Sequence, residues 1–195
     1  SGVAAVMTPS DLASGSDRAR AAAQAMAQTP RYVVNLQGDA PFVSPDIVVA
    51  VMQALRSGAC DVATPVHLLD WENLDRLRDH KLRAPFSGTT CIRGADGRAL
   101  WFSKSILPAM REEAQLRQTS KLSPVWQHLG LYGYRMDALN WFAQTPPSHY
   151  EQLEGLEQLR FLEGGKVITT VAVDPPRYAV SGIDTAADVE LAEQM

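Results

Sequence analysis

Tyr32-Val33-Val34-Asn35-Leu36-Gln37-Gly38-Asp39-Ala40-Pro41 begins as a short apolar run and stops at a glycine, a lone carboxylate and a proline. The run is too short for a helix and is β-branched near its start, which predicts a strand. Gly38 lets the main chain come close to a ligand, and Pro41 prevents the strand from simply continuing. Such strand ends line the ligand crevice of open α/β sheets, so Asp39 is a candidate metal- or phosphate-site residue. Taken alone, the same Asp also fits a turn residue bonded to local backbone. Immediately downstream, Ser44-Pro45 has the form of a helix cap followed by proline at the first helical position. Ile47, Val48, Val51, Met52 and Leu55 then make an apolar stripe that Gly58 ends. Asp61 to His67 reads as the next strand, with Pro65 marking an edge or a bulge. Strand, helix and strand at this spacing predict a βαβ unit, and hence an α/β fold with a mostly parallel, Rossmann-like sheet flanked by helices.

A chain of 195 residues fits a single domain spanning 1–195 and can bury a sizeable core. The net charge of −4 leaves no broad basic face to neutralise phosphates, which argues against nonspecific nucleic-acid binding. No apolar run is long enough for membrane insertion, and no signal-peptide pattern is visible. Cys60 and Cys91 lack any C-x-x-C spacing, so structural zinc is not expected and two reduced thiols in a cytoplasmic protein are.

Around this centre the chain offers further polar constellations. Ser14-Gly15-Ser16-Asp17-Arg18 places amides, hydroxyls and a cation before an alanine-rich helix, with Ser16 as the expected N-cap, and suits a phosphate or sugar ligand. Thr89–Arg93 and Arg98–Phe102 flank an Asp96-Gly97 tip and predict a hairpin, an antiparallel insertion occupying a subregion at about 84–135. Residues 111–123 are polar and read as a mobile loop or frayed helix. Trp126 to Arg135 reads as one strand whose alternation puts His128, Gly130, Tyr132 and Tyr134 on one face. That face suits a sugar acid, and equally suits an ordinary strand with its tyrosine hydroxyls wet. Ser148 with Glu151 three residues on makes a capping box for a long helix, 149–163, along which Glu151, Glu154, Glu157 and Gln158 are expected on a solvated face. Gly182-Ile183-Asp184 supplies a second Gly-x-Asp loop before a last helix capped by Thr185. Two single carboxylates without a histidine cluster suit Mg2+, which prefers oxygen and completes its shell with water and substrate phosphates.

In this order and at near-family spacing, Met7-Thr8 with Ser14–Arg18, Val33–Pro41, Ala63-Thr64-Pro65, Ala99–Pro108, His128–Arg135, Glu154 with Leu156–Arg160, and Gly182–Thr185 resemble the 3-deoxy-manno-octulosonate cytidylyltransferase (CMP-KDO synthetase) family. The resemblance implies a magnesium-dependent reaction of CTP with KDO to CMP-KDO and pyrophosphate, serving the inner core of lipopolysaccharide, in a cytoplasmic homodimer whose interface and sugar site draw on the inserted subregion at about 84–135. It implies Asp39 and Asp184 as catalytic metal ligands, Gln37 beside the nucleotide, Ser14, Gly15, Arg18 and Gly38 as further substrate-binding residues, and His128, Tyr132, Glu157 and Gln158 as the sugar-acid pocket. Lys104 stands where the family has arginine and loses bidentate carboxylate recognition. The family's Asp-Glu-Pro is Asp39-Ala40-Pro41 here, its histidine before Ser-Gly-Thr is Leu12, and its Thr is Ser16. Residues 83–88 replace a family strand. The family's opening strand and triphosphate loop have no counterpart, so the chain is expected to be a fragment beginning near the third strand. The alternatives are a nucleotidyltransferase for another sugar or sugar acid, and a non-catalytic sugar- or nucleotide-binding module.

Overall fold

The computed structural model describes residues 5–12, 14–36 and 43–175. Gln37, Gly38, Asp39 and Asp184, and the helix expected after Thr185, lie outside the described residues. The elements follow one another as α1 (Gly15–Gln24), β1 (Tyr32–Asn35), α2 (Pro45–Arg56), β2 (Val62–Asp70), α3 (Trp71–Arg83), β3 (Thr90–Arg93) and β4 (Ala99–Ser103). They continue with α4 (Glu113–Thr119), β5 (Leu122–His128), β6 (Tyr132–Arg135), α5 (Met136–Gln144), α6 (His149–Glu154), α7 (Gln158–Glu163) and β7 (Ile168–Ala172).

The expected α/β layering is present, but the sheet is not mostly parallel. Its order is β1-β6-β2-β5-β3-β4, with β7 on β2. The pairs β1–β6, β2–β6, β2–β5, β3–β5 and β3–β4 are antiparallel, and only β2–β7 is parallel among the described residues. The β1–α2–β2 unit does make β1 and β2 run the same way, because both are antiparallel to β6. Yet β6 has been inserted between them from far along the chain, so the crossover never produces a parallel ladder.

The period of two along each strand sends side chains to two distinct layers. Val62 and Val66 of β2 join Phe102, Tyr134, Leu139, Phe142, Leu159 and Phe161 beneath α1, α5 and α7. Ala63 joins Val51, Leu55 and Leu131 under α2, and Leu69 joins Leu74 and Val125 under α3. Gly133 is what lets α2 lie close on β6: a Cβ there would stand 2.6 Å from Val51 Cγ1 and 2.7 Å from Leu55 Cδ1. Pro65 sits at neither edge of the sheet. It lies where β2 hands over from β6, paired at Val62 and Ala63, to β5, paired from Val66 onward. A residue without an N–H is tolerated at that break in the ladder.

Three local expectations change. The segment 111–123 contains a defined helix, α4, bound to α3 by Arg78–Glu113 and Arg117–Asp75 ion pairs, with Arg117–Glu113 bridging one turn within α4. The single strand 126–135 is two strands, β5 and β6, separated by a tight turn in which Leu131 N donates to Leu129 O at 2.7 Å. The long helix 149–163 is two short ones, because Gly155 adopts the left-handed conformation (φ +64°) and turns the chain. Arg160 fixes that elbow by donating to Glu151, and to the carbonyls of Phe142 and Thr145 at 3.0 and 2.9 Å.

Candidate functional site

The layer beneath α1, α5 and α7 carries polar groups where an apolar core would otherwise continue. Ser14, not Ser16, caps α1: its Oγ accepts from Asp17 N at 3.1 Å. Either serine has the chemistry of a cap, but Ser16 is one residue into the helix and turns inward, where it is buried. Its hydroxyl donates to Glu157 Oε2 at 2.8 Å and lies 2.9 Å from Tyr134 Oη. With Glu157 ionised, the one serine proton goes to the carboxylate, so Tyr134 donates to Ser16. Gly15 opens the helix, and Arg18 is exposed, its guanidinium donating to the carbonyls of Pro9, Ser10 and Leu12 and to Thr8 Oγ1. That pins residues 8–12 against the start of α1.

Glu157 reaches Ser16 because the Gly155 elbow points residues 156–158 at the sheet. The solvated face expected for this segment is therefore not what forms. Glu151 and Gln158 are buried, and Glu157 is half-buried. Burial raises the Glu157 carboxyl above its ordinary range, against the Ser16 hydrogen bond, which lowers it. Gln158 Nε2 is fully buried without a hydrogen-bond partner in the described structure, leaving an amide donor unspent.

β5 and β6 bring His128, Tyr132 and Tyr134 together despite the turn between them. The ring centroids are 5.1 Å apart for His128–Tyr132 and 5.9 Å for the stacked Tyr132–Tyr134 pair. His128 Nε2 lies 2.7 Å from Thr64 Oγ1, which itself donates to Leu131 O at 2.7 Å. A hydroxyl has a single proton, and the carbonyl can only accept. His128 Nε2 therefore donates to Thr64, and Nδ1 carries the lone pair. Desolvation, aided by the Lys104 charge, pushes the His128 pKa down to about 3, so the ring is neutral at physiological pH. Burial also drives the Tyr132 hydroxyl upward, with the tyrosine and Glu157 next to it adding to the shift. It stays a neutral donor and acceptor.

Lys104 follows β4 and is half-buried, its pKa lowered by desolvation and partly restored by Glu154. It opens on a concavity of about 590 Å³ that it shares with Lys81, Glu154, Phe86, Ile106 and Leu153. Glu154 accepts from Lys104 N at 2.7 Å and from Ser103 Oγ at 2.8 and 3.1 Å. The described residues thus assemble Ser16, His128, Tyr132, Tyr134 and Glu157 around one layer with Lys104 at its side and the buried Gln158 next in sequence to Glu157, while Ser14 and Arg18 act within the α1 entrance. Among the described residues no three His, Cys, Asp or Glu side chains come together as a metal cluster. Thr64, Lys81 and the bonding of Glu154 had no part in the sequence-based site. A threonine before a mid-strand proline was a usable signal for Thr64, whereas nothing in the local pattern pointed to Lys81.

A family model described as Cytidylyltransferase matches residues 1–168. The chain is 38% identical over 194 residues to 3-deoxy-manno-octulosonate cytidylyltransferase of Nitrobacter winogradskyi, covering 98% of this chain and 69% of that one. It is 35% identical over 185 residues to the protein of the same name from Maricaulis maris, covering 94% and 69%. A solved structure of CMP:2-keto-3-deoxy-manno-octonic acid synthetase complexed with CTP is 30% identical, with a TM-score of 0.80, over 100% of this chain and 74% of that one. With most of its length matched by the family model and relatives above 30% identity across nearly all of it, the chain belongs to the cytidylyltransferase family that contains these 3-deoxy-manno-octulosonate enzymes.

Proposed function

We propose that the chain transfers CMP from CTP to 3-deoxy-manno-octulosonate (KDO). A hydroxyl oxygen of the sugar acid attacks the α-phosphorus, pyrophosphate leaves, and the hydroxyl proton is lost. The observation that carries this is the polarity of the His128–Tyr132–Glu157 layer, in a chain whose relatives bear that activity in their names. Neutral His128 offers a lone pair at Nδ1, Tyr132 a hydroxyl, Gln158 a free amide donor and Glu157 a carboxylate acceptor. A polyhydroxylated ring needs that mixture, and the Lys104 ammonium complements its carboxylate. These residues bind and orient the acceptor, and positioning of two bound substrates supplies much of the rate in a phosphoryl-type transfer.

Mg2+ bound by Asp39 and Asp184 would neutralise charge on the triphosphate. Support for that pair comes from the sequence, two lone carboxylates suited to an oxygen-loving cation, and the nucleotide side would be completed by Ser14, Gly15, Gln37, Gly38 and Arg18. Cytoplasmic location is supported by the two free, buried cysteines. No described helix is long and apolar enough to cross a membrane.

The test is release of pyrophosphate from CTP in the presence of KDO and Mg2+, with other sugar acids run in parallel. Release with KDO, and its loss in Asp39→Asn and Asp184→Asn, is expected. Release with a different sugar acid alone would move the assignment to that substrate; Lys104 in place of arginine is the residue that leaves room for it. Activity undiminished in both aspartate variants would sink the metal assignment.

A further inference from the structure

The peptide on either side of Lys104 is held by two charged side chains from unrelated elements. On its N–H side, Glu154 at the end of α6 accepts at 2.7 Å. On its C=O side, the Lys81 ammonium in the last turn of α3 donates at 2.6 Å. Lys81 has three N–H bonds. They are spent on the carbonyls of Lys104, of Gly88 at 3.0 Å and of Ser87, with Pro85 O grazing at 3.4 Å. Lys81 is therefore saturated and is not a second cation for a ligand, although it lines the same concavity as Lys104. The residues after Lys104 are tethered in turn. Ser105 N donates to Ser103 Oγ at 2.9 Å, and Thr90 Oγ1 donates to Ser105 O at 2.7 Å and accepts from Leu107 N at 3.1 Å. An irregular segment leaving a strand would ordinarily be free to move. This one is bound at Lys104, Ser105 and Leu107, and of these three the charge-assisted bonds fall at Lys104.

We propose that Lys81 and Glu154 are positioning residues that clamp the Lys104 main chain and so aim its ammonium at the carboxylate of the acceptor. This rests on the reading of Lys104 as the carboxylate-binding cation. Lysine carries one point charge on a flexible stem and lacks the fork by which arginine defines direction. Fixing its backbone restores from outside part of the orientation that the side chain cannot supply.

The measurement is calorimetric binding of KDO and of its C1 carboxamide to the full chain, compared across variants. The wild type is expected to prefer the carboxylate by about tenfold, and Lys104→Met to remove the preference. Lys81→Met and Glu154→Gln are each expected to lower that preference about threefold or more while carboxamide affinity stays within about twofold. General loosening of the fold would weaken both ligands alike and leave the ratio unmoved. Hydrogen exchange at the Lys104 and Ser105 amides is expected to accelerate in both clamp variants. Should Lys81→Met fail to fold, Lys81→Gln, which retains two donors, decides. Loss of preference in Lys104→Met with full preference in the Lys81 and Glu154 variants would overturn the clamp and leave the carboxylate assignment standing. Unchanged preference in Lys104→Met would overturn the carboxylate assignment, and the clamp with it.

Discussion

His128 is neutral because the fold has taken it out of water, and that links stability to pH with a definite sign. Its pKa is about 3 in the folded state against an ordinary 6.5, and buried His67 is shifted the same way by desolvation. Between these values the unfolded chain binds a proton that the folded chain does not, so stability falls as pH drops below 6.5 toward the folded value. From pH 7 to 5, His128 alone accounts for a loss of about 2 kcal/mol. Glu157, raised by burial, opposes this trend, while Asp75 and Glu113, held low mainly by hydrogen bonds from Arg117 and Arg78, add losses only in the carboxylate range. Urea unfolding at the two pH values is expected to show a smaller pH dependence in His128→Asn than in the wild type. An equal dependence would show that His128 is not the titrating group. Gly133 makes a second prediction at this scale. Its missing Cβ is occupied space, and Gly133→Ala is expected to cost about 1–3 kcal/mol by forcing α2 off the sheet, read as a lower urea midpoint. The alternation that put Tyr132 and Tyr134 opposite Gly133 was legible in the sequence, since a strand period is local. The Lys81 contacts were not, because their partners are main-chain carbonyls, which no residue letter records.

The α6–α7 elbow shows how an element boundary becomes part of a site. Leu153, Leu156, Leu159 and Leu162 recur at threes, and by that period alone the segment reads as one helix with its acids in water. Gly155 was the signal against it, a residue free of Cβ at the position that turns left-handed. The turn presents Glu157 to Ser16 and buries Gln158. Gly155→Ala has open space for its methyl, so its effect is conformational rather than steric. A cost of about 1 kcal/mol in stability is expected, with a larger proportional loss in acceptor affinity as Glu157 swings away. Calorimetry set beside a thermal melt would check this. Equal losses in both would show that the elbow serves stability alone. α4 teaches the converse: its polar composition read as a mobile loop or frayed helix, yet Arg117 and Glu113 tie it to Arg78 and Asp75 of α3, a partnership settled across 35 and 42 residues.

For the whole molecule, β4 has only β3 as a ladder partner among the described residues, and Leu100 upon it is 59% exposed. An unprotected apolar edge is a place for a second copy of the chain to pair. A homodimer through this hairpin is expected, so sedimentation should return about twice the 21.3 kDa of one chain. Leu100→Lys should shift the population to monomer, and a wild-type monomer at high concentration would rule the interface out. The α/β character was readable because helices and strands announce themselves locally. The direction of pairing was not, since β6, which separates β1 from β2, enters from elsewhere in the chain. That insertion has a consequence for how the protein is made. Tyr32 pairs with Arg135, so β1 leaves the ribosome about a hundred residues ahead of its ladder partner. Until then Val33 and Val34 lack β6, and Val51 and Leu55 of α2 lack Gly133 to rest on. The nascent chain therefore carries an open apolar edge for about a hundred residues of its synthesis, and its folding waits on contacts between distant segments, the kind that close slowly.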